Sequence, residues 1–514
     1  MIMFNQKVLC LGSSSIESDQ IVTNLTEKEQ TVNHGLINDP NFVPTEFGYY
    51  HTSVVDLVQG DIVSLSEHFD KIILLDQPKE QYNHYKIVIS TLQTCLALEQ
   101  KGCAIEFRDV PLVKRLIYWK TFLKENKSFC FHPFLALIDN TGDYTSICPK
   151  NWKPVKRLKD ITDWKTDPEY LEIRNKMIDG VAMPDTCWEC YEAEDRGYES
   201  TRQFETVEWA EKLELDSIED FLNVEKPVFF EIRPSNKCNA MCRFCSPNFS
   251  HLIRNEYDAI NFKVKFDKDR EWDTLISGPD IESIDYDHAR RIYFAGGEPT
   301  IMPEFYNFLQ NRISDGNTNF ELTIGTNGMS FSNKLLDLLD HFPNVCLSTS
   351  FDGYGKVNDY VRWRTEFDTV VNNTRILRER GHIIGLQTVI CMWNLTNLGR
   401  LFEFFDQEYP NSSLLLQPAK DGEEETMFDP YNHPLPEQVV ESLSRCQQTN
   451  VYYSNGRSLK SMIDALKNQY ADPNYECNLA LLQKFFDYND KLDDARNVKL
   501  VDYIPELDKA RNIL

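Results

Sequence analysis

Short apolar runs punctuate the chain, and most of them end on Gly, Asp, Asn or Ser. In the first 115 residues Lys7–Gly12 (KVLCLG) is one such run and Lys71–Asp76 (KIILLD) another, with Cys103–Phe107 a third. Between the last two, Tyr85, Val88, Ile89, Leu92 and Leu96 recur at helical spacing over Tyr82–Glu99, and the pattern stops near Gly102. Strands alternating with a helix predict a small Rossmann-like or flavodoxin-like α/β domain over residues 1–115. Gly12-Ser13-Ser14-Ser15 reads as an ordinary strand-to-helix turn with a serine cap; an anion site at a helix start is the other reading.

Further on, Phe134–Ile138 and Tyr144–Ile147 flank the turn residues Asp139-Asn140-Thr141-Gly142-Asp143, which predicts a β-hairpin. A helix is expected over Pro168–Gly180, then an acidic amphipathic stretch over Glu205–Leu222 that serves as linker at 207–225. Six strand-like runs follow: Pro227–Arg233, a run from Arg291 that ends in Gly296-Gly297-Glu298-Pro299, Phe320–Ile324, Val345–Phe351, Ile384–Ile390 and Leu414–Gln417. Helical segments such as Asn333–Leu339 and Thr369–Gly381 lie between them, and a long acidic insertion separates the first run from the second. Residues 421–514 read as an acidic loop followed by helices, including Leu459–Lys467 and Leu479–Phe486. The expected organisation is therefore an α/β domain at 1–115, a cysteine-bearing module at 116–206, the linker, a β/α domain at 226–420 and a helical extension at 421–514.

Composition narrows the partners. A chain of 514 residues with 41% hydrophobic content has enough apolar mass for several globular domains. Its net charge of −26 repels nucleic-acid phosphates and acidic membranes. No apolar run approaches the ~20 residues of a membrane span, and the first residues lack a signal-peptide layout, so a soluble cytoplasmic protein is expected. In an acidic intracellular chain, 14 cysteines point to metal sites and buried thiols, not to a disulfide framework. Cys10, Cys95, Cys103, Cys346, Cys391, Cys446 and Cys477 are scattered and read as buried thiols.

The other seven form two groups. Cys238, Cys242 and Cys245 stand with three and then two residues between them, directly after the first of the six strands. Thiolates at this spacing can bind one metal centre from a single loop, and soft sulfur favours iron–sulfur clusters, zinc or copper(I). Cys130 and Cys148 stand at the two bases of the hairpin, and Cys187 and Cys190 form a CxxC loop. Four such thiolates can close a tetrahedral site, and ligand chemistry alone leaves zinc and a 4Fe–4S cluster both open.

CxxxCxxC with an aromatic residue before its last cysteine, then Gly296-Gly297-Glu298-Pro299, Gly325-Thr326-Asn327-Gly328 and Ser350-Phe351-Asp352-Gly353, all at strand ends, resembles the radical SAM (S-adenosylmethionine) superfamily over residues 226–420. The hairpin with Cys187-Trp188-Glu189-Cys190 and the stretch to Arg202 resembles the auxiliary-cluster modules called SPASM or twitch domains, here preceding the barrel. That resemblance implies a partial (β/α)6 barrel and reductive cleavage of SAM at a 4Fe–4S cluster held by Cys238, Cys242 and Cys245. It implies a second 4Fe–4S cluster on Cys130, Cys148, Cys187 and Cys190, for which structural zinc is the alternative. Phe244 would lie near adenine, and Gly296, Gly297 and Glu298 would receive the SAM ammonium. Ser348, Ser350 and Asp352 would meet the ribose, and Arg362 the carboxylate. A flavodoxin- or ferredoxin-like electron donor is implied as partner, and a peptide or protein side chain as substrate. A small molecule or carbohydrate is the alternative substrate, and a scaffold without turnover the alternative to an enzyme. No general acid or base is named by the motifs.

Overall fold

The computed structural model describes five short strands within residues 1–110, and residues 111–514 except 141–143, 150–155, 158–163, 248, 262–280, 411, 420–426 and 455–456. Strands β1 (Lys7–Gly12), β2 (Val32–His34), β3 (Gly48–Ser53), β4 (Lys71–Leu74) and β5 (Ala104–Phe107) form an all-parallel sheet in the order β2-β3-β1-β4-β5. Three of the five were legible as apolar runs. The expected helix over Tyr82–Glu99, the serine turn after Gly12 and the acidic insertion at 262–280 lie outside the described residues.

The chain divides into two compact units. The first holds residues Met1–Asn126, Gln203–Asp216 and Tyr453–Lys460; the second holds Lys127–Arg202, Ser217–Tyr452 and Ser461–Leu514. The stretch read as an acidic helical linker is helical in the structure. It forms the end of helix Thr201–Lys212 and the short helix Ile218–Leu222, and Val207, Trp209 and Ala210 are buried. Within the first unit it is tied to helix Pro111–Glu125: the Trp119 indole N–H donates to the Leu215 carbonyl at 2.7 Å, and Arg115 Nε donates to Asp216 Oδ1 at 2.7 Å.

The second unit is built on one nine-stranded sheet. Its strands are β6 (Ala136–Asn140), β7 (Tyr144–Ser146), β8 (Lys156–Arg157), β9 (Phe229–Ile232), β10 (Arg291–Phe294), β11 (Glu321–Thr326), β12 (Asn344–Ser350), β13 (Ile383–Ile390) and β14 (Leu414–Pro418), in the order β14-β13-β12-β11-β10-β9-β6-β7-β8. From β9 to β14 neighbours in sequence are parallel neighbours in space, as expected from strands linked by helical crossovers. The expected hairpin is present, with Ile138 opposite Ser146, but its first strand starts at Ala136: Phe134 and Leu135 belong to a short helix, His132–Leu135, so Cys130 precedes that helix and does not stand at the base of the hairpin. The hairpin does not stand apart from the β/α domain, because β6 pairs in parallel with β9, from Ala136 opposite Phe229 to Asp139 opposite Ile232.

Burial alternates along β10, β11 and β12. Ile292, Phe294, Leu322, Ile324, Val345 and Leu347 point to the helix-covered face and are all but inaccessible. Phe294 meets Phe305 and Phe308 of helix Pro303–Ser314 at ring separations of 4.8 Å. Strands of all-parallel sheets are usually apolar on both faces. The other face here carries Tyr293, Thr323, Gly325, Cys346, Ser348, Ser350 and Gln387, all part-exposed. The period-2 pattern thus leaves one face of the sheet polar, above which a ligand can sit.

Candidate functional site

Three turns converge at the carboxyl ends of β9, β10 and β11. The cysteine loop follows β9, Gly296–Pro299 follows β10, and Thr326–Gly328 closes β11. Backbone hydrogen bonds hold the first two together: Gly297 N–H donates to the Ser235 carbonyl at 3.0 Å, and Glu298 N–H to the Lys237 carbonyl at 2.8 Å. The approach is so close that a Cβ on Gly297 would lie 2.1 Å from the Lys237 carbonyl oxygen. Gly296 has φ +106°, a conformation glycine adopts without strain.

Glu298 is buried and joins the second turn to the third. One oxygen, Oε1, accepts from Thr300 Oγ1 (2.6 Å), Thr326 Oγ1 (2.7 Å) and Thr300 N–H (3.3 Å); Oε2 accepts from Asn327 N–H at 2.6 Å. Burial raises its pKa, and these donors act against that rise. Asn327 then reaches the cysteine loop, donating to Asn239 Oδ1 at 2.7 Å, with its amide nitrogen 4.0 Å from the Cys238 sulfur. Ala240 N–H donates to the same sulfur at 3.4 Å.

The three thiols of the loop influence one another. Burial pushes Cys238 up to about 12, with Glu298 and Cys242 adding to it. Burial also raises Cys245 well above the usual thiol range, followed by Cys242 and Cys238, and it raises Cys242. Gathered, part-buried thiols of this kind become thiolates when a cation compensates their charge. Arg362 is one such cation and acts on all three cysteines. Its Nη1 donates to Asp352 Oδ2 at 2.6 Å, while its Nε is buried without a hydrogen-bond partner. A buried N–H left open beside three thiols fits an anionic group at this position. Asp352 is fully buried and also accepts from Val389 N–H at 2.6 Å, so its carboxylate is occupied in orienting Arg362. Ser348 and Ser350 are half-buried on the polar sheet face, and Phe244 is half-buried against the core that contains Met241 and Tyr360.

The four thiols of the second group interact with one another electrostatically, but their setting differs from the expected one. Cys187 and Cys190 do not lie in a loop: they occupy helix Pro184–Asp195. Pro184 suits the first turn of a helix and Gly197, at φ +84°, lies just beyond its end. The i, i+3 spacing puts both thiols on one helix face. Buried Arg202 ties that helix to the Cys130 segment, donating to Glu194 Oε1 and Oε2 at 3.0 and 2.8 Å and to the Phe129 carbonyl at 3.1 Å. Burial pushes Cys130 well up, then Cys148 and Cys190, with Cys187 also contributing; burial and Cys190 push Cys187 up to about 11. Among the described residues no three His, Cys, Asp or Glu side chains close onto a single-ion position. Cluster cysteines each bind a different iron, so they need not converge as the ligands of one zinc must.

Four residues escaped the sequence reading. Glu231 on β9 and Arg233 just past its end form a buried ion pair on the polar sheet face. Arg233 Nη2 donates to the Pro149 carbonyl at 3.4 Å, next to Cys148. Tyr293 lies over Gly325, where a Cβ would meet its hydroxyl at 2.7 Å, and that hydroxyl accepts from Gln387 Nε2 at 3.3 Å. The available signal was the polar half of each strand's alternation, which the motif reading passed over.

Residues 232–404 match the Radical SAM superfamily model. No curated protein matches. Among solved structures, anSMEcpe with bound AdoMet is similar at 17% identity and a TM-score of 0.31, over 45% of this chain and 63% of that one. SuiB of Streptococcus suis bound to the precursor peptide SuiA is similar at 14% identity and a TM-score of 0.28, over 64% and 65%. TYW1 with a lysine-pyruvate adduct is similar at 13% identity and a TM-score of 0.24, over 43% and 71%. The chain thus spans less than two thirds of the length of the first two. Residues 232–404 thus form a domain that matches the radical SAM superfamily.

Proposed function

We propose that this protein is an enzyme that uses its radical SAM domain, arranged as a partial barrel, together with a second iron–sulfur centre to modify a peptide or protein side chain. One observation carries the reading: three mutually interacting thiols, Cys242 buried and Cys238 and Cys245 half-buried, share a set of strand ends with the Gly-Gly-Glu-Pro and Gly-Thr-Asn-Gly turns. A 4Fe–4S cluster with one open iron, with SAM, supplies a 5′-deoxyadenosyl radical able to take a hydrogen atom from an unreactive carbon. The chain's part is to hold and orient. Cys238, Cys242 and Cys245 bind the cluster, and Gly296, Gly297 and Glu298 face the SAM ammonium. Phe244 lines the adenine, and Ser348 and Ser350 the ribose. Asp352 steadies Arg362, whose open Nε meets the SAM carboxylate. Cys130, Cys148, Cys187 and Cys190 bind the auxiliary cluster, with an external flavodoxin- or ferredoxin-like donor supplying electrons. The polar sheet face, with Thr323, Ser348 and Gln387, favours a second reading in which a hydroxylated small molecule or carbohydrate is oxidised.

The test is direct. Anaerobically reconstituted protein given SAM and dithionite should release 5′-deoxyadenosine. It should hold about eight irons per chain, falling to about four when Cys130, Cys148, Cys187 and Cys190 are replaced. Four irons with one zinc would instead make the second site structural zinc. No 5′-deoxyadenosine at all would overturn the reading.

Glu298→Gln supplies a narrower expectation. The amide puts an N–H₂ where the carboxylate accepts from Thr300, Thr326 and Asn327. It also removes a charge-assisted contact to the ammonium, worth about 1.5–3 kcal/mol. SAM affinity, measured by equilibrium dialysis, should fall roughly 10–150-fold with iron content unchanged. Wild-type affinity would remove Glu298 from the ammonium site.

A further inference from the structure

Arg243 stands between Cys242 and Cys245, and its guanidinium is fully buried. Two of its partners come from the tail of the chain. Nη2 donates to Asp493 Oδ1 at 2.5 Å and Nη1 to Asn489 Oδ1 at 3.2 Å, while Nε donates to the Tyr360 carbonyl at 2.9 Å. The guanidinium carbon lies 3.5 Å from the centre of the Tyr360 ring, and the Tyr360 hydroxyl donates to Asp493 Oδ1 at 2.9 Å. Asn489 and Asp493 lie one turn apart on helix Leu479–Arg496. That helix makes two more contacts here, one to the loop and one to the helix after it. The Tyr488 hydroxyl donates to the Arg243 carbonyl at 2.5 Å, and Arg496 forms a two-pronged pair with Glu256 at 2.8 and 2.6 Å, on the helix that follows the cysteine loop.

Leu482, Phe485, Phe486 and Leu492 of the same helix already supply apolar packing. Burying ions is costly, and a buried pair is poor value as mere stabilisation. A carboxylate carried some 250 residues along the chain to meet a cation inside the cysteine loop (the separation is 250) is better explained by what it does to that loop.

We propose that helix Leu479–Arg496 is a working part of the metal centre: Asp493 fixes Arg243 and neutralises it, so the charge beside the cysteine loop is set from the tail of the chain. The proposal rests on the reading of Cys238, Cys242 and Cys245 as cluster ligands, and Asp493 is a positioning residue in it. Reduction adds an electron to the cluster, so an uncompensated cation in the low-dielectric interior favours the reduced state and an uncompensated anion opposes it.

Potentiometric titration followed by electron paramagnetic resonance tests this on Asp493→Asn, Arg243→Gln and the double variant, each with iron content measured. Asp493→Asn keeps shape and an acceptor oxygen while unmasking Arg243. It should shift the cluster's reduction equilibrium about tenfold toward the reduced form, equivalent to about +59 mV for one electron. Arg243→Gln should shift it the opposite way, and the double variant, neutral again, should return to the wild-type potential. Should either single variant fail to take up iron, the neutral pair still decides, because a purely structural role predicts that it is worse than both. Unchanged potentials in single variants that hold the cluster would overturn the proposal, as would a double variant that does not recover. An intact protein that never binds a cluster at this loop would instead overturn the underlying functional reading.

Discussion

Replacing Cys238, Cys242 and Cys245 together by Ala should remove about four irons per chain and all detectable 5′-deoxyadenosine. The expectation follows from the proposed role of the three thiols as the ligands of the SAM-binding cluster. The three thiols are drawn together by a loop whose backbone is pinned on several sides: Met241 N–H donates to the Trp363 carbonyl and Arg243 N–H to the Val361 carbonyl, each at 2.8 Å. Alanine fits each position without steric cost, so the loop should persist while its ligands vanish. The auxiliary cysteines are untouched and should keep their own irons. Iron analysis beside product chromatography separates these effects, and cleavage surviving in the triple variant would remove the loop from the chemistry.

Gly297→Ala should be almost as damaging without touching a ligand. Its Cβ would lie 2.1 Å from the Lys237 oxygen, 2.6 Å from the Lys237 carbonyl carbon and 2.8 Å from the Asn236 carbonyl carbon. All three are backbone atoms, and no rotamer change relieves them. The turn after β10 must back away from the cysteine loop, breaking the Gly297 and Glu298 hydrogen bonds to Ser235 and Lys237. Overpacking of this kind costs ~3 kcal/mol, and if that falls on the bound state SAM affinity drops about 100-fold. Circular dichroism should show the fold retained while equilibrium dialysis shows binding lost. Wild-type affinity would mean that the two turns can part freely, and that their contact does not build the site.

What could be read in advance follows physical lines. All six strands of the β/α domain were legible, because each is an apolar run ended by a Gly- or Asp-bearing turn, and Asn333–Leu339 was placed to the residue. The motifs sit at those ends because glycine permits the close approaches seen at Gly296 and Gly297. The pairing of β6 with β9 was not legible, since strand partners distant in sequence leave no local mark. Nor was the helical setting of Cys187 and Cys190: the CxxC spacing suits a loop and a helix face equally. The role of Arg243 was hidden for a related reason, as its carboxylate partner arrives only with helix Leu479–Arg496, some 250 residues later. In the first unit, β2 and β3 carry mixed polar residues such as His34, His51 and Thr52, which give no apolar run to detect.

The shared sheet has a consequence for how the protein is made. About 90 residues separate Ala136 from its partner Phe229, so β6 leaves the ribosome long before β9 exists. At about 5–20 residues per second, that interval is roughly 5–20 s. Throughout it, the flank of β6 opposite β7 presents unpaired backbone groups able to accept a foreign strand. The hairpin edge is therefore open to mispairing for longer than an edge whose partner strand follows it directly.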